Sequence, residues 1–304
     1  MYLFKRATAK NLRDEYKYTY EYTHIYVYAF NYKHTYHHIY IYTQGASPTM
    51  KDIFAVVNNK GGVAKTSTVG ALACFIAKKK QKVLCIDLDP QCNLTFTILG
   101  AQQPETTIFE VITGKAKAKQ AVIKTDRGYD LIPASSDLYN SDNTITSVGK
   151  EYKLKEAIQP LLKSYDYILI DTPPALGILT VDALTACTQV IIPAQADVYS
   201  LQGISTLSST INAVKQYCNK DLKIAGILLT RYNSRVVLAR EIAKMIENTT
   251  AKALDTKIFK TSIRECVAVK EAQANNQDIF TYSPKSNAST DYKNLVNELL
   301  KGNK

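Results

Sequence analysis

Nine consecutive residues hold two lysines, two glycines and two hydroxyls: Asn59-Lys60-Gly61-Gly62-Val63-Ala64-Lys65-Thr66-Ser67. A short apolar run, 53–57, precedes them and a helical pattern follows. Strand, glycine turn and helix start in that order build a cradle for phosphate. The glycines let backbone N–H groups approach anionic oxygens, and the helix N-terminus adds partial positive charge. In such a cradle Lys65 reaches the β- and γ-phosphates and the Thr66 hydroxyl ligates Mg²⁺. The loop departs from the common pattern G-x-x-x-x-G-K-[ST], because Asn59 and Ala64 stand where the outer glycines would be. What remains is K-G-G-x-x-K-[ST], with Lys60 as an extra lysine that an ordinary phosphate loop does not need.

Two further motifs supply carboxylates. In Val83-Leu84-Cys85-Ile86-Asp87-Leu88-Asp89-Pro90-Gln91, Asp87 closes a strand and Asp89 follows in a loop stiffened by Pro90. Paired carboxylates beside a phosphate loop suit water positioning and support of Mg²⁺. Solvated strand-end aspartates would read the same in isolation. In Tyr167-Ile168-Leu169-Ile170-Asp171-Thr172-Pro173-Pro174, Asp171 ends an apolar strand, the usual setting for a carboxylate that holds Mg²⁺ through water.

Apolar runs at 53–57, 83–86, 167–170, 190–192 and 224–229 must position these groups, with further strands expected at 130–133 and 256–259. Leu154, Ala157, Ile158, Leu161 and Leu162 share one helix face, and 201–218, 234–248 and 286–301 also read as helices. Short buried strands separated by helices imply an α/β fold: a mostly parallel, doubly wound sheet covered by helices on both faces. All three motifs fall at carboxyl ends of strands, where ligands bind in such sheets. Residues 104–150 are expected to be a peripheral excursion.

The formal net charge is +11, and from residue 51 onward 32 basic and 24 acidic side chains leave +8. That balance favours polyanionic partners without specifying one. The six cysteines form no C-x-x-C pair and all four histidines precede residue 40, which gives zinc or iron–sulfur sites little support. No apolar run approaches a membrane span. Residues 1–49 differ from the rest, holding 11 of the 21 tyrosines in period-two alternation with little aliphatic content. They are read as a low-complexity extension, unfolded or untranslated, ahead of a single domain at 50–304. The leading expectation is a start at Met50; a flexible tyrosine-rich arm is the alternative, and aromatic stacking on nucleic acid a third.

Lys60-Gly61-Gly62-Val63-Ala64-Lys65-Thr66, Asp87-Leu88-Asp89-Pro90-Gln91, Asp171-Thr172-Pro173-Pro174, Tyr199-Ser200-Leu201-Gln202-Gly203 and Tyr282-Ser283-Pro284 together resemble the ParA/Soj family of partition ATPases. That family lies within the deviant-loop P-loop ATPases that include MinD. The resemblance covers nearly all of 51–301. It implies an ATP- and Mg²⁺-dependent ATP hydrolase with weak, partner-stimulated turnover, in which residues 60–67 hold the nucleotide. Lys60 would cross a dimer interface to the partner's nucleotide, Lys65 would keep its loop role, and Asp89 would orient the attacking water. Thr66, Asp87 and Asp171 would serve the metal, and Pro284 would lie in the adenine-side loop. The implied partners are a second copy in the presence of ATP, a ParB-like protein and nonspecific double-stranded DNA, in a cytoplasmic, nucleoid-associated setting.

For DNA, Arg231, Arg235, Arg240 and Lys244 cluster around one expected helix start, which a solvated basic face would also do. Where many relatives read Ile-Pro-Arg-Asn-Val-Arg, this chain has Ile263-Arg264-Glu265-Cys266-Val267-Ala268. The DNA surface and base-side pocket are therefore expected to be redistributed, with Lys270 or Arg264 compensating. Three other functions compete with partition. MinD-like membrane positioning would need a basic amphipathic C-terminal helix. The stripe Leu295, Val296, Leu299, Leu300 reads instead as core packing, and no stable membrane association is expected. A nucleotide-gated DNA-binding co-repressor with negligible turnover is the second, and a small-molecule ligase or kinase on the same fold is the third.

Overall fold

The computed structural model describes residues 52–301, together with the backbone of 15–18, 25–30 and 40–43. The chain forms two units, Met1–Pro48 and Thr49–Lys304. In the first, strands β1 (Glu15–Tyr18), β2 (Ile25–Phe30) and β3 (Tyr40–Thr43) pair antiparallel in that order. Whether the segment is translated is a matter for mass spectrometry of the native N-terminus. The four histidines lie outside the described residues.

The second unit is built on strands β4 (Asp52–Val56), β5 (Val83–Asp87), β6 (Ile123–Lys124), β7 (Asp130–Ile132), β8 (Tyr167–Asp171), β9 (Gln189–Ala194) and β10 (Lys223–Leu229). They form one sheet in the order β10-β9-β4-β8-β5-β7-β6, parallel throughout except for the β6–β7 edge pair. Each central strand is buried on both sides. Ile53 and Ala55 of β4 face one apolar layer, and Phe54 and Val56 face the other. That is why these strands read as unbroken apolar runs rather than alternating ones.

One layer is covered by α3 (Ile108–Ile112), α4 (Ala118–Ala121), α6 (Lys153–Ile158), α7 (Ile178–Ala186), α8 (Val198–Tyr217) and α9 (Val237–Met245), with α5 (Ser141–Thr144) beside α7. The other is covered by α1 (Lys65–Lys78), α2 (Asn93–Leu99), α10 (Val267–Ala274), α11 (Ile279–Tyr282) and α12 (Asn287–Lys301). Leu295, Val296 and Leu299 of α12 are buried against α1, so the C-terminal stripe packs in the core. Among the described residues, no helix is long and apolar enough to cross a membrane.

Strand β4 lies between β8 and β9, so the chain winds outward in both directions from it. The crevice above its carboxyl end is the switch point where ligands settle in such sheets.

Three expectations need correction. Residues 256–259 are not a sheet strand: Ile258 makes an isolated bridge to Ile227 beyond the β10 edge. A bulge between Ile224 and Gly226 interrupts the β10 register, and the Phe259 ring fills the space a side chain at 226 would need. Residues 104–150 are not a mere excursion, since Ile108, Phe109, Val111 and Ile112 are core residues. The expected helix 234–248 is α-helical over α9 and continues as a π-helical turn, Ile246–Ala251.

A buried carboxylate in α7 gives this unit a pH dependence. Asp182 is 1% exposed; its Oδ1 accepts from the Leu154 N–H at 3.0 Å and its Oδ2 has no partner. Burial pushes its pKa up to about 7, against the Leu154 hydrogen bond. An acid raised on folding holds its proton in the native state while the unfolded chain has released it. Stability therefore falls as pH climbs from about 4 to about 7 and is flat above. Asp182→Asn keeps the acceptor and removes the charge. It should stabilise the protein at pH 8 by about 2–3 kcal/mol, after the cost of an orphan amide, with the gain shrinking toward pH 4. Urea melts at several pH values check this.

Candidate functional site

The loop between β4 and α1 takes its shape from two left-handed residues, Gly62 (φ +73°) and Ala64 (φ +69°). Glycine adopts this conformation freely, whereas at Ala64 it costs about 1 kcal/mol. The loop is tied down from three sides. Thr230 Oγ1 donates to the Val63 carbonyl at 3.1 Å, Gln195 Nε2 to the Gly62 carbonyl at 3.2 Å, and Asn58 Nδ2 to the Pro193 carbonyl at 2.7 Å. Lys65 opens α1 and folds back, its Nζ donating to the Lys60 carbonyl at 3.1 Å. Burial lowers the Lys65 pKa, and the charges of Asp171 and Asp89 oppose that shift.

Asp87 and Asp89 have separate positions. Asp87 is fully buried, and its Oδ2 accepts from both the N–H and the hydroxyl of Thr95 at 2.8 Å. Its Oδ1 accepts from the Asp89 N–H at 3.0 Å. Thr95 Oγ1 in turn receives the Ala134 N–H at 2.9 Å. Both Asp87 oxygens are thus used in fastening the loop to α2 and β7, and the structure does not bring Asp87 forward as a metal ligand. Burial raises its pKa to about 6, moderated by the Thr95 bonds. Asp89 is 5% exposed and keeps one bond, from the Gln91 N–H to Oδ1 at 2.9 Å. Burial raises its pKa against the pull of that N–H and of Lys65.

Asp171, at the end of β8, is fully buried, and neither carboxylate oxygen is met by a donor in good hydrogen-bond geometry. Burial and the neighbouring Asp87 charge hold its pKa well above the ordinary carboxylate range, with the nearby Thr66 hydroxyl favouring the ionised form. A buried carboxylate so poorly met is costly unless a cation or water completes its contacts. The donors at hand are hard oxygens, the set Mg²⁺ takes when phosphates and water complete its shell. The residues therefore fit that ion. Among the described residues no cluster of three His, Cys, Asp or Glu side chains could hold a metal unaided.

A cleft of about 810 Å³ lies over the loop, lined by Gly61, Gly62 and Ala64 to Ser67 on one side and Asp89 and Asn93 on another. Its far wall is Ile263 to Val267 with Lys270 and Gln273 of α10. Gln273 Nε2 donates to Ser67 Oγ at 3.1 Å, joining α10 to the phosphate loop. Pro284 is exposed and is not among the lining residues. Lys60 does not enter the cleft in this subunit: its Nζ pairs with Asp197 Oδ2 at 2.6 Å.

The expected DNA cations are scattered in position and partner. Arg231 is paired with Glu265 on the cleft wall, and Lys244 with Glu241 at 3.3 Å. Arg240 donates to the Ser234 carbonyl at 2.8 Å, and Arg235 is exposed just before α9. Lys270 lines the cleft on another helix, and Arg264 binds Asp291 through both its Nε (2.9 Å) and its terminal nitrogen (2.7 Å). Lys270 and Arg231 thus both line the cleft, where the charge of each acts on Glu265. Thr95, Gln273 and Asp197 were not expected; Asp197 stands two residues before the Tyr199–Gly203 motif, which was the one available signal.

A family model described as an AAA domain matches residues 51–224. The chain is 34% identical over 254 residues to the sporulation initiation inhibitor protein Soj of Bacillus subtilis, covering 82% of this chain and 98% of Soj. It is 35% identical over 257 residues to the chromosome partitioning protein ParA of Myxococcus xanthus, covering 83% and 89%. Among solved structures, cobyrinic acid a,c-diamide synthase of Mycobacterium smegmatis, with bound ADP and magnesium, superposes with a TM-score of 0.71. That match has 32% identity and covers 83% of this chain and 95% of the other. With this identity to Soj and ParA over most of its length, the chain belongs to the ParA/Soj family of partition ATPases.

Proposed function

We propose that this protein is an ATP-driven dimer switch that partitions a plasmid or chromosome segment. ATP pairs two copies, the pair holds double-stranded DNA nonspecifically, and a ParB-like partner stimulates the hydrolysis that releases it. The observation that carries the reading is the buried Asp171 carboxylate, met by no donor in good geometry, set beside Lys65, Thr66 and Asp89 over a phosphate-shaped loop. Backbone N–H groups of 61–67 and the Lys65 ammonium bind the triphosphate. Mg²⁺, held by the Thr66 hydroxyl and by Asp171, would neutralise charge on the β- and γ-phosphates. Asp89 orients water, and Asp87 holds the Asp89 loop in place rather than meeting the metal. Lys60 reaches the nucleotide of the other copy, offsetting repulsion between facing triphosphates. Arg235 and Arg240 supply DNA phosphate contacts. The names and near-complete coverage of the Soj and ParA relatives favour partition over the synthase chemistry of the solved neighbour.

Light scattering with a non-hydrolysable ATP analogue and Mg²⁺ tests this. The wild-type mass should double, while Lys60→Ala binds nucleotide as well as wild type and stays monomeric. A wild-type protein that remains monomeric refutes the reading.

A further inference from the structure

We infer that Asp197 is a positioning residue that holds Lys60 within its own subunit and must release it before two copies can pair. This rests on the in-trans reading of Lys60 above. The Lys60 ammonium lies 2.6 Å from Asp197 Oδ2, with the two side chains 29% and 35% exposed. Asp197 is itself fixed, because its other oxygen accepts the Ser200 N–H at 2.8 Å and caps α8. Burial would raise the Asp197 pKa, but the bonds from Lys60 and Ser200 hold it below the ordinary range.

The start of α8 is seated directly on the phosphate loop. A Cβ at Gly203 would stand 2.9 Å from Asn59 Oδ1, so α8 packs closely against the residue next to Lys60. Gln195, two residues before Asp197, grips the Gly62 carbonyl. A shift of the loop around incoming phosphates is therefore felt at the Lys60–Asp197 contact.

A short, charge-assisted but partly solvated pair is strong enough to fix a lysine and weak enough to exchange for a triphosphate. A carboxylate in this place competes with the partner's nucleotide for the same ammonium. Each dimer breaks two such pairs, so removing the competitor should tighten pairing by roughly five- to thirtyfold.

Asp197→Asn is the appropriate variant, since asparagine caps a helix as well as aspartate does and leaves α8 intact. Two measurements are made on the full chain. In the first, without nucleotide, trace acetic anhydride labelling read by peptide mass spectrometry reports how readily Lys60 reacts, relative to other lysines. A paired ammonium must leave its carboxylate before it can lose a proton and react, so the variant should label several-fold faster at Lys60. In the second, the dimer dissociation constant is measured with the ATP analogue and Mg²⁺. It should fall in Asp197→Asn and be unaffected by the same change in a Lys60→Ala background.

Unchanged Lys60 labelling overturns the inference, as does weaker pairing in Asp197→Asn, which would mean that Asp197 aims Lys60 at the partner. Should every variant and the wild type stay monomeric, the dimer reading and this inference's release step fall together. The labelling result alone then supports or refutes the hold on Lys60. Unchanged circular dichroism confirms that α8 has kept its cap.

Discussion

Lys65→Ala should lower ATP affinity by at least about thirtyfold and up to several thousandfold, the range for truncating one partner of a buried charge pair. Lys65 is 7% exposed and lies at the first turn of α1, where its ammonium faces the charges of Asp171 and Asp89. Truncation removes the cation that meets the phosphates and also leaves two buried carboxylates without their compensating charge. An incoming triphosphate then meets net negative potential, so the loss exceeds that of a single hydrogen bond. Burial holds the pKa values of both carboxylates above the ordinary range, which limits the damage to the unliganded fold. Titration calorimetry with ATP and Mg²⁺ measures the loss. A variant within threefold of wild type would mean that Lys65 does not touch the phosphates.

The central strands and the three motifs could be read from the chain because each is dictated locally. A strand buried on both faces has to be apolar, and a phosphate loop has to combine glycine, lysine and hydroxyl at fixed spacing. What could not be read depends on contacts across the fold. Asp87 and Asp89 look equivalent two residues apart, and only the position of Thr95 separates the loop fastener from the free carboxylate. The Lys60–Asp197 pair spans 137 residues and leaves no periodic trace. Pro284 was placed by the resemblance of Tyr282-Ser283-Pro284, and it is not among the residues that line the cleft. The cleft wall includes instead the segment that departs from the family pattern, where Arg264 is engaged by Asp291 and Glu265 by Arg231. Residues 256–259 have strand-like composition, yet they meet the β10 edge only through an isolated bridge at Ile258, which no local pattern announces.

Asp89→Ala should reduce hydrolysis by roughly a hundred- to ten-thousandfold, the contribution of a well-placed group that positions or accepts a proton from water. Its effect on ATP affinity should be small. Asp89 lies at the edge of the cleft with a single backbone hydrogen bond to the Gln91 N–H, so its removal leaves no buried donor network unpaired. Asp87→Ala would instead strip partners from the Thr95 N–H, the Thr95 hydroxyl and the Asp89 N–H, three buried donors, and should destabilise the whole loop. Different outcomes for the two aspartates thus separate chemistry from architecture. The left-handed Ala64 already burdens the loop, and basal turnover is expected to be slow, so single-turnover assays over hours are the suitable measurement. Losing hydrolysis while keeping the nucleotide should lock the paired state. Asp89→Ala protein should then stay on DNA longer than wild type in the presence of ATP, as filter binding can follow. Equal DNA lifetimes for the two proteins would show that hydrolysis is not what releases the DNA, and would favour a nucleotide-gated binding protein over a partition switch.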